Sequence, residues 1–132
     1  MPGPILILHA TDTIRTAKQL QSVLLDVGLF SLTYAEALLS GPLSIVELVA
    51  SSSAVVIILS DRLLEDMTGT VIAQHALNSH KGACVQYGYI DKPEWAEGAF
   101  NLEPGDLFEL NWELLLTLLR SQINFAQLGE EF

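Results

Sequence analysis

The chain has 132 residues, of which half are hydrophobic and 17% are charged. This length and hydrophobic fraction exclude a disordered chain and suffice for one domain with its own core. Sixteen acidic against six basic residues give a formal net charge of −10, which repels phosphate backbones and argues against nucleic-acid binding.

The cellular compartment is indicated by the cysteine content and by the apolar runs. Cys84 is the only cysteine, so an internal disulfide cannot form, and a lone thiol is typical of a reducing compartment. Residues 1–10 lack a basic leader, and no apolar run is long enough to cross a bilayer. We therefore expect a cytoplasmic protein without membrane insertion.

The first third of the chain predicts a strand, a helix and a second strand. Ile5–Leu8 is a short apolar run typical of a buried strand. Apolar residues then recur every three or four positions from Ile14 to Val27, which predicts an amphipathic helix that Gly28 ends. Leu29–Tyr34 is strand-like.

Residues 35–44 predict an exposed loop. Ser40-Gly41-Pro42 has the composition of a turn, and Leu38 and Leu39 precede it. Two alternatives stay open for these leucines, since they either project from the loop or fold back onto the core. Ser44 and Glu47 then form a possible capping box for a short helix that ends near Ser51–Ser53.

The run Ala54–Leu59 contains only apolar residues, which predicts a central parallel strand covered on both faces. Ser60 or Asp61 is expected to cap the following helix. Glycine is unfavourable inside helices, so a break is predicted near Gly69, after which the helical pattern resumes over Val71–Leu77.

The last third predicts a fourth strand, a long loop, a fifth strand and a final helix. Their expected bounds are Ala83–Ile90, Asp91–Asp106, Leu107–Leu110 and Trp112–Ile123. Right-handed crossovers between parallel strands then favour an α/β, flavodoxin-like three-layer sandwich, with a five-stranded parallel sheet and helices on both faces. We expect one domain over residues 1–132, with its core at about 4–123 and a frayed tail at 124–132.

Catalytic and cofactor motifs are sparse. Residues 9–13 (HATDT) carry no glycine, so the first strand is not followed by a dinucleotide or phosphate loop. The three histidines have no metal-ligand spacing with Cys84, and no G-x-S-x-G elbow is present. Asp61 follows the third strand as the acceptor of a phospho-receiver does, but the paired acids after the first strand are missing. We therefore expect no cofactor and no metal.

In the order and spacing of its motifs, the chain resembles a Toll/interleukin-1 receptor (TIR) domain over residues 4–123. Residues 5–12 (ILILHATD) are similar to the opening strand of that family, although His9-Ala10 departs from the usual pair. Residues 35–60 resemble the BB loop, second helix and third strand, with the usual Pro-Gly inverted. The resemblance implies an interaction surface, called the interface segment below, at Glu36, Leu38, Leu39, Ser40, Gly41, Pro42 and Leu43.

The resemblance also indicates whether the chain is an enzyme. Enzymatic TIR domains, which cleave NAD⁺, place a glutamate on the third helix about a dozen residues after the serine that opens it. Counting from Ser60 leads to Ile72, and no carboxylate lies between Asp66 and Asp91. An alkyl group cannot stabilise the oxocarbenium-like charge of that reaction. In this departure, and in residues 58–66, the chain resembles the degenerate TIR domains of B-cell scaffold and adaptor proteins for phosphoinositide 3-kinase.

Two functions are thus predicted from the resemblance. The first is a non-enzymatic protein–protein interaction module in cytosolic, immune-type signalling. It is expected to assemble with itself, as a homo-oligomer, or with other TIR domains. The second is a divergent TIR-type NAD⁺ hydrolase whose carboxylate comes from another position, for which Glu65 is the candidate.

Overall fold

The structure is a computed structural model that describes residues 4–39, 45–86, 93–96, 100, 101, 117, 119 and 120. Four parallel strands of three to six residues form the body of its sheet: β1 (Ile5–Leu8), β2 (Ser31–Thr33), β3 (Ala54–Leu59) and β4 (Gly82–Gln86). A two-residue strand, β5 (Phe100–Asn101), pairs with β4 at the edge.

The strand order is β2-β1-β3-β4-β5, the order of flavodoxin-like folds. β3 hydrogen-bonds to β1 on one side and to β4 on the other, so it occupies the centre, as its all-apolar sequence predicts. The parallel α/β architecture is therefore confirmed. The fifth strand predicted at Leu107–Leu110 lies outside the described residues.

Side chains alternate between the two faces of the sheet and form two cores. On one face, residues such as Val55 and Ile57 pack against helices that follow β2 and β3. On the other face, Val56 and Ile58 pack against the first helix and against Leu119. Every residue of β3 is fully buried, because helices cover both faces.

The helices whose bounds fall within the described residues are α1 (Ile14–Asp26), α2 (Tyr34–Leu39), α3 (Ile45–Ala50), α4 (Asp61–Glu65) and α5 (Met67–Asn78). Short 3₁₀ turns occupy Thr11–Thr13 and Glu94–Ala96. Residues 117, 119 and 120 are helical, within the range predicted for the last helix; the rest of that helix and the tail lie outside the described residues.

The second strand is shorter than predicted because both of its ends are used by helices. Gly28, at φ +84°, ends α1, and the N–H groups of Gly28 and Leu29 donate to carbonyls of Leu25 and Leu24. The hydrogen bond from Leu29 holds this residue in the turn that ends α1, so Leu29 cannot start the strand. At the other end, Tyr34 already begins α2.

The predicted helix break near Gly69 is wrong in position. The break lies at Asp66, whose extended backbone (φ −88°, ψ 109°) separates α4 from α5 and whose carboxylate caps α5 by accepting from the N–H of Thr68 at 3.0 Å. Gly69 lies inside α5 and is buried. A Cβ atom there would stand 2.8 Å from Cδ1 of Leu63, so the glycine serves close packing between α4 and α5.

The fourth strand begins at Gly82, one residue earlier than predicted, and is described as far as Gln86. Residues 87–92, which complete the predicted strand and open the predicted loop, lie outside the described residues.

Candidate functional site

The structure corrects the first half of the interface segment from loop to helix. Glu36, Leu38 and Leu39 all belong to α2. The side chain of Leu38 and residues 40–43 lie outside the described part of the chain. The described side chains of the interface segment are therefore those of Glu36 and Leu39, and they have opposite roles.

Glu36 caps its own helix. Its Oε1 atom accepts from the backbone N–H of Thr33 at 3.0 Å, and its own N–H donates to Oγ1 of Thr33 at 3.3 Å. The two residues therefore form a reciprocal capping box, T-x-x-E, which satisfies donors at the start of α2. The sequence carries this signal at positions 33–36, and the prediction of a loop missed it because the preceding residues are strand-like.

The Glu36 carboxylate also joins α1 to α2. Nε2 of Gln21 donates to it at 2.7 Å and to the carbonyl of Ser31 at 3.1 Å, while Nζ of Lys18 lies 3.6 Å away. The hydrogen bond from the Thr33 backbone, followed by that from Gln21, lowers the pKa of Glu36 to about 2. This carboxylate is thus ionised at neutral pH and occupied by contacts within the protein.

Leu39, the last residue of α2, has the opposite character. It is 87% exposed, the largest exposure among the large hydrophobic side chains of the described residues. The alternative in which this leucine folds back onto the core is therefore wrong, and the same alternative for Leu38 stays a prediction. α2 presents an apolar side chain directly before the predicted Ser40-Gly41-Pro42 turn.

A second polar group lies where β1 and β3 end, at the carboxyl edge of the sheet. Ser60 caps α4, since its Oγ accepts from the N–H of Leu63 at 3.1 Å and donates to Oδ1 of Asp12 at 2.8 Å. Nearby in sequence, His9 is buried and its Nδ1 lies 3.0 Å from the carbonyl of Ala10. The sequence predicted Ser60 or Asp61 as the cap of this helix, and Ser60 takes that role. Its contact with Asp12 depends on the pairing of β1 with β3.

Comparisons with known proteins address the fold. No family model and no curated protein matches the sequence. Among solved structures, the chain is similar to the TIR domain of the Toll-related receptor TRR-2 from the lower metazoan Hydra magnipapillata, with a TM-score of 0.76 and 16% identity. The match covers 88% of this chain and 97% of that one. This chain has the fold of a TIR domain.

Within this TIR fold, the position that the resemblance assigns to a catalytic glutamate is part of the core. Ile72 is 1% exposed and packs on the same side of the sheet as Leu63 and Ala76. The alternative candidate, Glu65, is the last residue of α4 and is exposed. Ile72 carries no carboxylate, and the carboxylate of Glu65 is exposed to solvent rather than enclosed in a pocket of the described residues.

Cys84 and the metal-binding residue types are the other groups with catalytic potential. Burial raises the pKa of the Cys84 thiol to about 11, so the thiolate required for nucleophilic chemistry does not form at neutral pH. Within the described residues, no group of three or more His, Cys, Asp or Glu side chains is placed to hold a metal ion. No helix in the described part of the chain has the length and apolar character needed to cross a membrane.

Proposed function

We propose that this chain is a non-enzymatic TIR-type interaction module, one domain with its core at about residues 4–123. It acts in cytosolic, immune-type signalling and assembles with itself or with other TIR domains through the interface segment. The TIR fold supports the proposal at the level of architecture. The chain resembles the degenerate TIR domains of phosphoinositide 3-kinase adaptors, because Ile72 stands where enzymatic TIR domains place a carboxylate.

The single observation that carries the proposal is the exposure of Leu39. An apolar side chain that is 87% exposed leaves most of its surface in water, and its burial is worth about 1.5–3 kcal/mol. Glu36, Thr33 and Gln21 fix the helix that carries this leucine, so its position is defined before a partner binds. Preorganisation of this kind lowers the entropy lost on association.

The competing function is NAD⁺ hydrolysis with Glu65 as the carboxylate. It is less well supported, because Glu65 is an exposed residue at the end of α4 and Ile72 fills the position expected for the catalytic group. Incubation with NAD⁺ at high protein concentration, with free nicotinamide as the readout, tests it. Turnover that is above a blank and is lost in Glu65→Ala would establish the enzyme instead.

Sedimentation velocity over a concentration series tests the interaction module. We expect Leu39→Asp and Leu39→Lys both to weaken self-association by at least about tenfold, because both remove the apolar contact while changing charge in opposite directions. The matched control is Leu25→Asp, since Leu25 is 65% exposed near the end of α1. Melting temperatures should stay close to that of the parent for all three variants.

The same experiment contradicts the proposal in either of two ways. Self-association that persists in both Leu39 variants would show that the interface segment is not the assembly surface. A melting temperature that falls together with association, in Leu39 variants but not in Leu25→Asp, would assign Leu39 a structural role instead.

A further inference from the structure

We propose that the outer face of α5 at Met67 and Val71 is a docking surface for a basic amphipathic helix of another protein. This surface, called the α5 face below, is separate in sequence from the interface segment. The partner proposed here is not a TIR domain, so the proposal goes beyond assembly between TIR domains.

The α5 face is apolar and unpartnered within the described residues. Met67 is 81% exposed and Val71 is 49% exposed. They are four residues apart on one helix, so their side chains lie on the same face, one turn apart. The opposite face of α5 faces the core through Ile72, Ala73 and Ala76, which are almost completely buried. The outer side of α5 is therefore apolar at its start, at Met67 and Val71, and polar further along, at Gln74 and Asn78, which are also exposed.

Carboxylates precede this apolar pair. Asp61, Glu65 and Asp66 are all exposed, and Arg62 is the one basic residue between Asp61 and Met67. Burial raises the pKa of Tyr34, and the negative charge of Asp66 raises it further, so the charge at the start of α5 also acts on α2. The α5 face is thus an apolar pair with an acidic border, a term used here for the exposed carboxylates of Asp61, Glu65 and Asp66 that precede it in the chain.

The charge distribution decides between possible occupants. A second copy docked symmetrically on the α5 face would bring two sets of acidic residues together, and each chain carries a formal charge of −10. Like charges placed opposite one another disfavour such a contact. A partner with lysine or arginine beside its apolar residues gains both electrostatic attraction and apolar burial.

The spacing of the apolar pair indicates the form of the partner. Two side chains one helical turn apart offer contact points for a helix whose own apolar residues recur every three or four positions. A helix with a basic polar face also matches the acidic border. The α5 face therefore fits a basic amphipathic helix better than it fits an extended acidic or neutral segment.

Fluorescence anisotropy with synthetic peptides tests the proposal on the full chain. The probe is a labelled helical peptide of leucine and lysine in amphipathic order, and its control has glutamate in place of lysine. We expect saturable binding of the lysine peptide and none of the glutamate peptide. Met67→Ser with Val71→Ser, and separately Glu65→Lys, should each weaken binding by at least about tenfold.

Matched controls separate a specific surface from general attraction to an acidic protein. Asp26→Lys changes the net charge by the same amount as Glu65→Lys, and both residues are exposed at the last position of a helix. Leu25→Ser removes an exposed apolar side chain from α1. The buried side of that helix packs against the other face of the sheet. We expect both controls to bind the lysine peptide as tightly as the parent.

Three results would overturn the proposal. Absence of saturable binding to the lysine peptide is the first. Equal weakening by Glu65→Lys and Asp26→Lys is the second, because only net charge would then matter. The third is a self-association that is lost in the Met67→Ser/Val71→Ser variant, measured by sedimentation velocity, since a second copy would then be the occupant.

Discussion

At the scale of single residues, the carboxylate of Glu36 fixes the start of α2. It thereby helps to position Leu39, the exposed residue at the end of the same helix. The pKa of Glu36 is lowered from 4.5 to about 2 by hydrogen bonds that exist only in the folded chain. A carboxyl group with a lowered pKa stabilises the fold above its unfolded pKa, and this contribution is lost as the pH falls through its folded pKa.

Glu36→Gln therefore has a predicted pH signature. We expect the variant to be less stable than the parent at pH 7, and the difference between the two to shrink between about pH 4.5 and about pH 2. Urea denaturation of both proteins across this range measures it. Glu65→Gln is the control, since Glu65 is an exposed glutamate at the end of α4 and lies outside this capping box. A difference that stays constant with pH would show that the charge of Glu36 is not what stabilises α2.

Cys84 gives a second residue-scale prediction. The thiol is buried in β4, and its pKa of about 11 keeps it protonated at neutral pH. We expect a thiol-specific reagent to label the native protein only as fast as the chain unfolds, and to label it at once in denaturant. Fast labelling of the native protein at pH 7 would contradict the burial of this side chain.

At the scale of elements, the strands were the most predictable part of the chain. Ile5–Leu8 and Ala54–Leu59 are the observed bounds of β1 and β3, because continuous apolar runs of this length fit only a strand buried on both faces. α2 was missed, although Thr33 and Glu36 carry its capping box, because Leu29–Tyr34 also has the composition of a strand. A six-residue helix offers too few turns for a periodic signal, so its cap was the only evidence available.

Gly69 was misread for a related reason, since a glycine that serves close packing has the same sequence signal as one that breaks a helix. We expect Gly69→Ala to lower the free energy of unfolding by about 1 kcal/mol. The new Cβ would displace Leu63, which is 1% exposed, and overpacking of this kind outweighs the gain in helix propensity. Chemical denaturation measures the change. In a Leu63→Ala background the same substitution should be neutral or stabilising, and a loss of similar size in both backgrounds would exclude the contact as its cause.

The end of α5 provides a stabilising prediction. His80 has a φ of +59°, and its N–H and that of Lys81 donate to carbonyls of Leu77 and Ala76. This is the helix ending that normally uses glycine, because other residues are strained there. We expect His80→Gly to raise the free energy of unfolding by about 0.5–1 kcal/mol, after the greater freedom of glycine in the unfolded chain is subtracted. Thermal and urea denaturation measure it, with His80→Ala as the control that keeps the strain. Equal stability of the two variants would contradict this account.

At the scale of the whole molecule, the strand order brings the ends of β1 and β3 together, so that Ser60 reaches Asp12 across 48 residues of sequence. The fold could be predicted because β1 to β4 each follow from a local pattern and right-handed crossovers restrict how the strands connect. The two-residue β5 (Phe100–Asn101) lies inside the predicted loop, because a strand this short carries no pattern of its own. Contacts that depend on which strands become neighbours could not be predicted from the sequence. The hydrogen bond between Ser60 and Asp12, and the one between Gln21 and Glu36, are of this kind.

The net charge of −10 leads to a final prediction, which separates the two proposed surfaces by their response to salt. Two copies that meet through Leu39 bury an apolar side chain while their acidic surfaces repel each other. The Debye length falls from about 30 Å at 0.01 M salt to about 8 Å at 0.15 M, so added salt screens that repulsion. We therefore expect self-association, measured by sedimentation velocity, to strengthen over this range. Binding of the lysine peptide to the α5 face depends on attraction and should weaken over the same range. Self-association that instead weakens with salt would show that ion pairs, rather than Leu39, hold the copies together.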